Sequence, residues 1–412
     1  MSAPAETRGP LDVIRSPRAI LWLLALINFF NYLDRLIIVT LLPILKNDLQ
    51  LTDTQLGLLG SAFSVVLALA TVPLGWLADR WMRKWVIAIG VGLWSLATAA
   101  GAVASSFHEL LISRALVGIG EATYAPAANA LIAEDYPKER LARAISIFNL
   151  GMIAGSAGGL ALGGVIAAKF GWRASLLIVG LPGLVLALCA LLVHERRRRV
   201  HGQWVVPVDL SPRAIFARPA LFAIFGGGTL VTFFVWGLLF WMQPFMVQYH
   251  HFEAQKAALF SAAIAATAGL GVWAGGVMGD RWTRTHPGGR LLASGAGMLL
   301  GAPVVLLTLL SPNRTVMLTS LATSVFFLTW FTAPIVAALC GLVGEKSRAT
   351  WTATYFLIIH LLGDGLSPTA IGFIADRSSV RTGLLASVSV AVAGGLWLLY
   401  GARQMRRETL SG

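Results

Sequence analysis

The sequence predicts an all-α membrane protein of twelve transmembrane helices, arranged as two six-helix bundles related by a pseudo-two-fold axis. Three observations carry that prediction. Charged residues are only 12% of the 412 and apolar residues reach 57%, whereas a soluble domain carries about 25% charged residues. The mean hydropathy of +0.74 leaves too little polar surface to cover a globule. A short segment also returns half a chain later: Gly75-Trp76-Leu77-Ala78-Asp79-Arg80-Trp81 is echoed by Gly276-Val277-Met278-Gly279-Asp280-Arg281-Trp282, 201 residues on.

A hydrocarbon core about 30 Å thick needs roughly 20 apolar residues per helix. Walked along the chain, that length predicts spans at 20–45, 56–78, 85–105, 108–133, 141–169, 172–193, 220–248, 256–279, 289–310, 315–342, 348–375 and 380–402. The first apolar run is longer than a signal-peptide core and holds polar residues in its middle, so no cleavable leader is expected. The loops are too short for a separate globular domain.

The longest polar stretch, 194–219, contains Arg196-Arg197-Arg198-Arg199, Pro207 and Pro212. It reads as a linker between an N-terminal bundle, 1–193, and a C-terminal bundle, 220–412. The arginine run serves as a topology anchor, with anionic lipid heads as an alternative partner. With an N-terminus in the cytoplasm, that side collects 23 of the 32 Lys and Arg residues, the other side holds seven, and Arg35 and Arg114 fall within spans. This bias predicts both termini inside and accounts for the net charge of +13 without a nucleic-acid partner. Cys189 and Cys340 lie in spans with no metal-site spacing, so packing is their expected role and no metal or other cofactor is expected.

The repeat goes further. A third copy, Gly372-Phe373-Ile374-Ala375-Asp376-Arg377, ends span 11, and a weaker one, Gly164 to Lys169, ends span 5 without the acid. Four related three-helix units give this pattern, and such nested repeats occur in one large transporter class. The loop after span 2, Gly75-x-x-x-Asp79-Arg80-x-Met82-Arg83-Lys84, resembles the signature of the major facilitator superfamily, with Met82 in place of its second glycine. The resemblance implies a cytoplasmic latch made in one conformation and broken in the other. In it Gly75 lets another helix approach, Asp79 caps the helix starting near Ser347 and Arg348, Arg80 and Arg83 flank the acid, and Asp280-Arg281 plays the same part toward the start of span 5.

Within that superfamily three segments resemble the Spinster family of lipid transporters: Asn31-Tyr32-Leu33-Asp34-Arg35, Arg114-x-x-x-Gly118-x-Gly120-Glu121-Ala122, and His360-Leu361-Leu362-Gly363-Asp364-Gly365-Leu366-Ser367-Pro368. The third is the discriminating one. The chain lacks the long tails of animal members, which points to a bacterial relative in the inner membrane.

Charge inside a membrane is costly, about 2.5–3.5 kcal/mol per residue on insertion scales. Asp34, Arg35, Arg114, Glu121 and Asp364 are therefore the residues from which function is read. Arg114 and Glu121, seven apart, share a helix face. Asn28, Asn31 and Arg35 draw a polar stripe with Tyr32 alongside, and His360, Asp364 and Ser367 draw another. Burial favours a neutral carboxyl and a neighbouring Arg favours the charged one, so Asp34 and Glu121 read as proton-coupling acids, as the Spinster resemblance also implies. The alternative is a static ion-pair network. Arg35 and Arg114 suit an anionic head group, with an Arg114–Asp34 pair as the structural alternative. His360 reads as a pH sensor or as the partner of Asp364. Trp236 and Trp330 are the aromatic residues expected to wall the cavity, and the glycines Gly151, Gly155, Gly158, Gly159, Gly163 and Gly164 are expected to pack span 5 closely.

No Gly-x-x-x-x-Gly-Lys-Ser/Thr loop appears, and no nucleophile constellation. The expectation is thus a monomeric, non-enzymatic, proton-linked secondary transporter for a lysophospholipid or sphingolipid-like amphiphile. A proton-coupled carrier of a small organic anion or drug is the rival within the class. A non-transporting receptor or sensor on the same fold is the rival outside it.

Overall fold

The computed structural model describes residues 13–195, 215, 217–344 and 347–411. Its elements are α1 (Pro17–Asp48), α2 (Asp53–Arg80), α3 (Arg83–Gly101), α4 (Phe107–Asp135), α5 (Lys138–Leu191), α6 (Pro219–His250), α7 (Ala254–Thr283), α8 (Gly289–Leu310), α9 (Arg314–Leu328), α10 (Thr332–Leu342), α11 (Arg348–Ile358), a π-helical turn (Ile359–Asp364), α12 (Ser367–Arg377) and α13 (Val380–Ser411). Among the described residues, ten helical segments are long and apolar enough to cross a membrane. α4 is not one of them. It has the length, but Glu109, Arg114, Glu121, Glu134 and Asp135 lower its hydropathy.

The expected spans 141–169 and 172–193 lie in one element. α5 runs for 54 residues and is broken only at Gly171, whose φ of +81° and ψ of 166° leave the helical region; a residue without Cβ takes up that conformation at little cost. The expected span 315–342 is α9 and α10, with residues 329–331 between them.

The chain divides into two compact units, Met1–Leu45 with Val65–Gln203, and Lys46–Ser64 with Trp204–Gly412. The turn after α1 and the first part of α2 thus go with the second unit. The linker expected at 194–219 and its arginine run fall almost wholly outside the described residues.

In the first unit, α5 lies backbone to backbone on α1. A Cβ added at Gly151, Gly155 or Gly159 would stand 2.1, 2.2 or 2.6 Å from the carbonyl oxygens of Ala25, Phe29 or Leu33. Small residues at a four-residue repeat permit this contact. α3 and α4 meet in the same way at Gly90 and Gly120, and Tyr124 closes the core by donating its hydroxyl to the Leu24 carbonyl. In the second unit, Tyr355 packs beside Gly228, and the buried Trp241 donates Nε1–H to the Pro368 carbonyl at 2.9 Å.

Candidate functional site

The first unit brings the intramembrane charges of α1 and α4 together. Successive residues of a helix point about 100° apart, so Asp34 and Arg35 serve different neighbours. Arg35 reaches α4, where its Nη2 and Nε both donate to Glu121 Oε2, at 2.7 and 3.2 Å. Its guanidinium carbon also sits 4.8 Å over the Tyr32 ring. Asp34 faces α3 instead and accepts a 2.6 Å hydrogen bond from the Thr98 hydroxyl. Its second oxygen, Oδ1, accepts none among the described residues. Arg114 lies within electrostatic reach of both acids, and Asn31 lies beside Glu121. Asn28 anchors the stripe by donating to the Phe148 carbonyl at 3.0 Å.

Asp34, Arg114 and Glu121 are 1%, 3% and 4% exposed and Arg35 is half-buried, in a cluster of two acids and two guanidiniums with formal charge zero. Buried ions of this kind persist only when they compensate one another. Protonating one acid would leave one surplus positive charge in the cluster.

The second unit holds the other set. Gly365 N–H bonds to the His360 carbonyl at 2.9 Å, five residues back, which is the π turn between α11 and α12. The sequence favours a break here, since Pro368 has no N–H to offer the carbonyl four residues earlier and glycines flank Asp364; Gly363 packs closely on Thr229 and Thr232 of α6. Such turns are frequent at functional positions. His360 Nδ1 lies 2.8 Å from Asp364 Oδ2, and Phe356 stacks on the imidazole at 6.0 Å. Asp364 is the sole acid in the middle of this unit's spans and has no Lys or Arg beside it in the helix. Trp236 is half-buried on α6 and its Nε1–H is unbonded among the described residues. Trp330 is buried between Gly275 and Gly297, which are close enough that a Cβ would collide with it.

The signature loop is partly built. Arg83 is buried and ion-paired with Glu134 at the end of α4. The Glu195 carboxylate accepts the backbone N–H groups of Arg83 and Lys84 at 2.9 and 3.0 Å, capping α3. A Cβ on Gly75 would meet nothing within 4 Å among the described residues. The Asp79 side chain lies outside the described residues, as do those of Lys138 and Glu139 at the start of α5. Arg80 and Arg281 are exposed at their helix ends. Asp280 pairs with Arg290, at 2.9 and 3.1 Å.

The sequence profile of the Major Facilitator Superfamily matches residues 24–361, most of the described chain. The chain belongs to the major facilitator superfamily. Within the superfamily it is similar to Spinster proteins. Protein spinster homolog 1 of Xenopus laevis is 28% identical over 379 residues, covering 85% of this chain and 71% of that protein. The human homolog is likewise 28% identical, over 86% and 72%. An MFS-type efflux pump of Mycolicibacterium smegmatis is 27% identical over 98% of this chain and 95% of its own. The crystal structure of a bacterial homolog of the human lysosomal transporter Spinster, inward-facing and unoccupied, superposes with a TM-score of 0.84 at 25% identity, covering 97% and 99% of the two chains. A nucleoside transporter at 14% identity and a TM-score of 0.74 shares the fold. The superfamily member described here is accordingly a multi-pass membrane transporter and not an enzyme.

Sequence reasoning missed three residues of this superfamily member. Thr98 fixes Asp34, but a threonine in an apolar helix gives no signal of its own. Glu134 and Glu195 anchor the signature loop from 51 and 112 residues beyond Arg83, and only the fold brings them there.

Proposed function

We propose that this transporter moves a lysophospholipid or sphingolipid-like amphiphile by alternating access, linked to protons through Asp34 and Glu121. In this reading the chain crosses the bacterial inner membrane twelve times with both termini in the cytoplasm, and works as a monomer without a cofactor. The observation that carries the proposal is the Arg35–Glu121 pair set beside a buried Asp34 that accepts from the Thr98 hydroxyl.

The chemistry follows from charge. A proton on Asp34 leaves Glu121 alone against Arg35 and Arg114, a surplus of one positive charge in a low-dielectric cluster. An anionic phosphate or carboxylate head group neutralises that surplus, taking guanidinium N–H groups in the planar geometry that Arg offers. By reciprocity the bound anion then favours the proton. Tyr32 and Asn31 line the same stripe, while Trp236, His360 and Asp364 belong to the substrate path of the second unit. The apolar chain of an amphiphile needs the aromatic surface that this unit supplies. Asp79, Arg80, Arg83, Asp280 and Arg281, with Gly75, form the cytoplasmic latch.

The likeness to the mycobacterial efflux pump over 98% of the chain favours one second reading, a proton-coupled carrier of a small organic anion or drug. Purified protein in liposomes, offered a lysolipid panel and soluble carboxylates with and without a pH gradient, separates the two. Uptake of lysolipid stimulated by the gradient supports the first. Uptake of carboxylate alone supports the second, and binding without flux contradicts both.

A further inference from the structure

The third Asp-Arg copy, unassigned so far, has a partner. Asp376 ends α12, and its carboxylate accepts the backbone N–H groups of Asp53 at 2.6 Å and Thr54 at 2.9 Å, together with the Thr54 hydroxyl. These are first-turn donors of α2, which have no partner within their own helix, and the carboxylate also meets the positive end of the helix dipole. Lys46 closes the arrangement, with Nζ 2.6 Å from both oxygens of the Asp53 carboxylate.

Below this cap α2 and α12 touch through small residues. A Cβ on Gly57 would lie 2.3 Å from the Pro368 carbonyl oxygen, and one on Gly372 would lie 2.4 Å from that of Asp53. Thr369 donates to the Ser61 hydroxyl at 2.7 Å. Close backbone contact and hydrogen bonds make this seam, and Asp376 itself is exposed at its end. α2 leaves the second unit one residue beyond Ser64. The segment Lys46–Ser64 is therefore attached by a close-packed seam with a polar, exposed cap at one end.

The sequence places Asp79 at the far end of the same α2, where it is expected to cap the helix beginning near Arg348. On that expectation each end of α2 belongs to one such cap, with donor and acceptor helix exchanged. We infer that Asp376 is a releasable clasp on the start of α2. It is held in one conformation of the transport cycle and let go in the other, opposite in phase to Asp79. This inference rests on the transport reading.

Ser61 is buried at the seam. The test uses the full chain in vesicles, with Cys189→Ser and Cys340→Ser as background and Ser61→Cys as the reporter for an impermeant maleimide. Asp376→Asn and Asp376→Ala are each expected to raise the labelling rate about tenfold or more, the loss of one charge-assisted contact. Thr54→Val is expected to raise it less. Arg377→Gln, which alters the neighbouring residue that binds the Phe373 carbonyl and ring, is expected to leave it unchanged. Unchanged labelling in both Asp376 variants of a monodisperse protein overturns the clasp. Equal acceleration by Arg377→Gln overturns it as well, because the effect is then general loosening. A labelling response without flux of any substrate counts against the transport reading and leaves the clasp standing.

Discussion

Arg35 and Glu121 form a two-donor ion pair across 86 residues of sequence, with both guanidinium contacts on a single carboxylate oxygen, Oε2. Asp34 precedes Arg35 in the chain, yet its carboxylate turns to the Thr98 hydroxyl on another helix. The two acids of the cluster are therefore held differently: Glu121 takes both Arg35 donors, and Asp34 takes the Thr98 hydroxyl with Arg114 in electrostatic reach.

Breaking the ion pair from one side leaves the other charge buried and alone. Arg35→Gln and Glu121→Gln are each expected to lower thermal stability more than the double variant's share. A double-mutant cycle on the detergent-solubilised protein should give a coupling of about 1–3 kcal/mol. A coupling near zero means that the pair contributes nothing to this cluster.

Thr98 is expected to position Asp34 for the proton. Thr98→Ser keeps the hydroxyl and should keep gradient-driven uptake near the parental rate. Thr98→Val removes it and should cut that uptake about tenfold, the scale of one hydrogen bond to a charged group, with folding intact by size-exclusion chromatography. Equal uptake by both variants removes Thr98 from the account.

The glycines of α5 are graded by what faces them. Gly155→Ala places a methyl 2.2 Å from the Phe29 carbonyl oxygen, whereas Gly158→Ala meets only side-chain carbons at 3.6 Å. The first is expected to cost about 1–3 kcal/mol through overpacking, and the second to be near neutral. Melting temperatures of the two purified variants decide this.

Asp364→Asn tests the second unit. It removes the acid beside His360 while keeping the shape of the π turn, so uptake is expected to fall with little change in melting temperature. His360→Gln should fall in parallel, since each is the other's partner at 2.8 Å. A fall in one variant alone separates their roles.

The helices were legible because membrane burial imposes a length and a composition, and the charged residues stood out because they violate it. α4 carries so much of the charge that its hydropathy falls below that of the other spans, yet its apolar length still marks 108–133. What the sequence hid was partners distant in the chain: nothing in Asp376 announces Thr54, 322 residues away, and nothing in Asp34 announces Thr98. The π turn lay between. Gly363-Asp364-Gly365 before Pro368 forecasts a break, but hydrogen bonding five residues apart is decided by packing, here of Gly363 against α6 at Thr229 and Thr232.

The central claim is that a proton on Asp34 creates the anion site. It is tested most directly by measuring the affinity of the purified protein for an anionic lysolipid across pH, in the parent and in Asp34→Asn. The parent is expected to bind more tightly as pH falls. Asp34→Asn, neutral throughout, is expected to hold the tight affinity at every pH and to lose gradient-driven uptake. An Asp34→Asn protein that keeps the full pH dependence and full uptake contradicts the account.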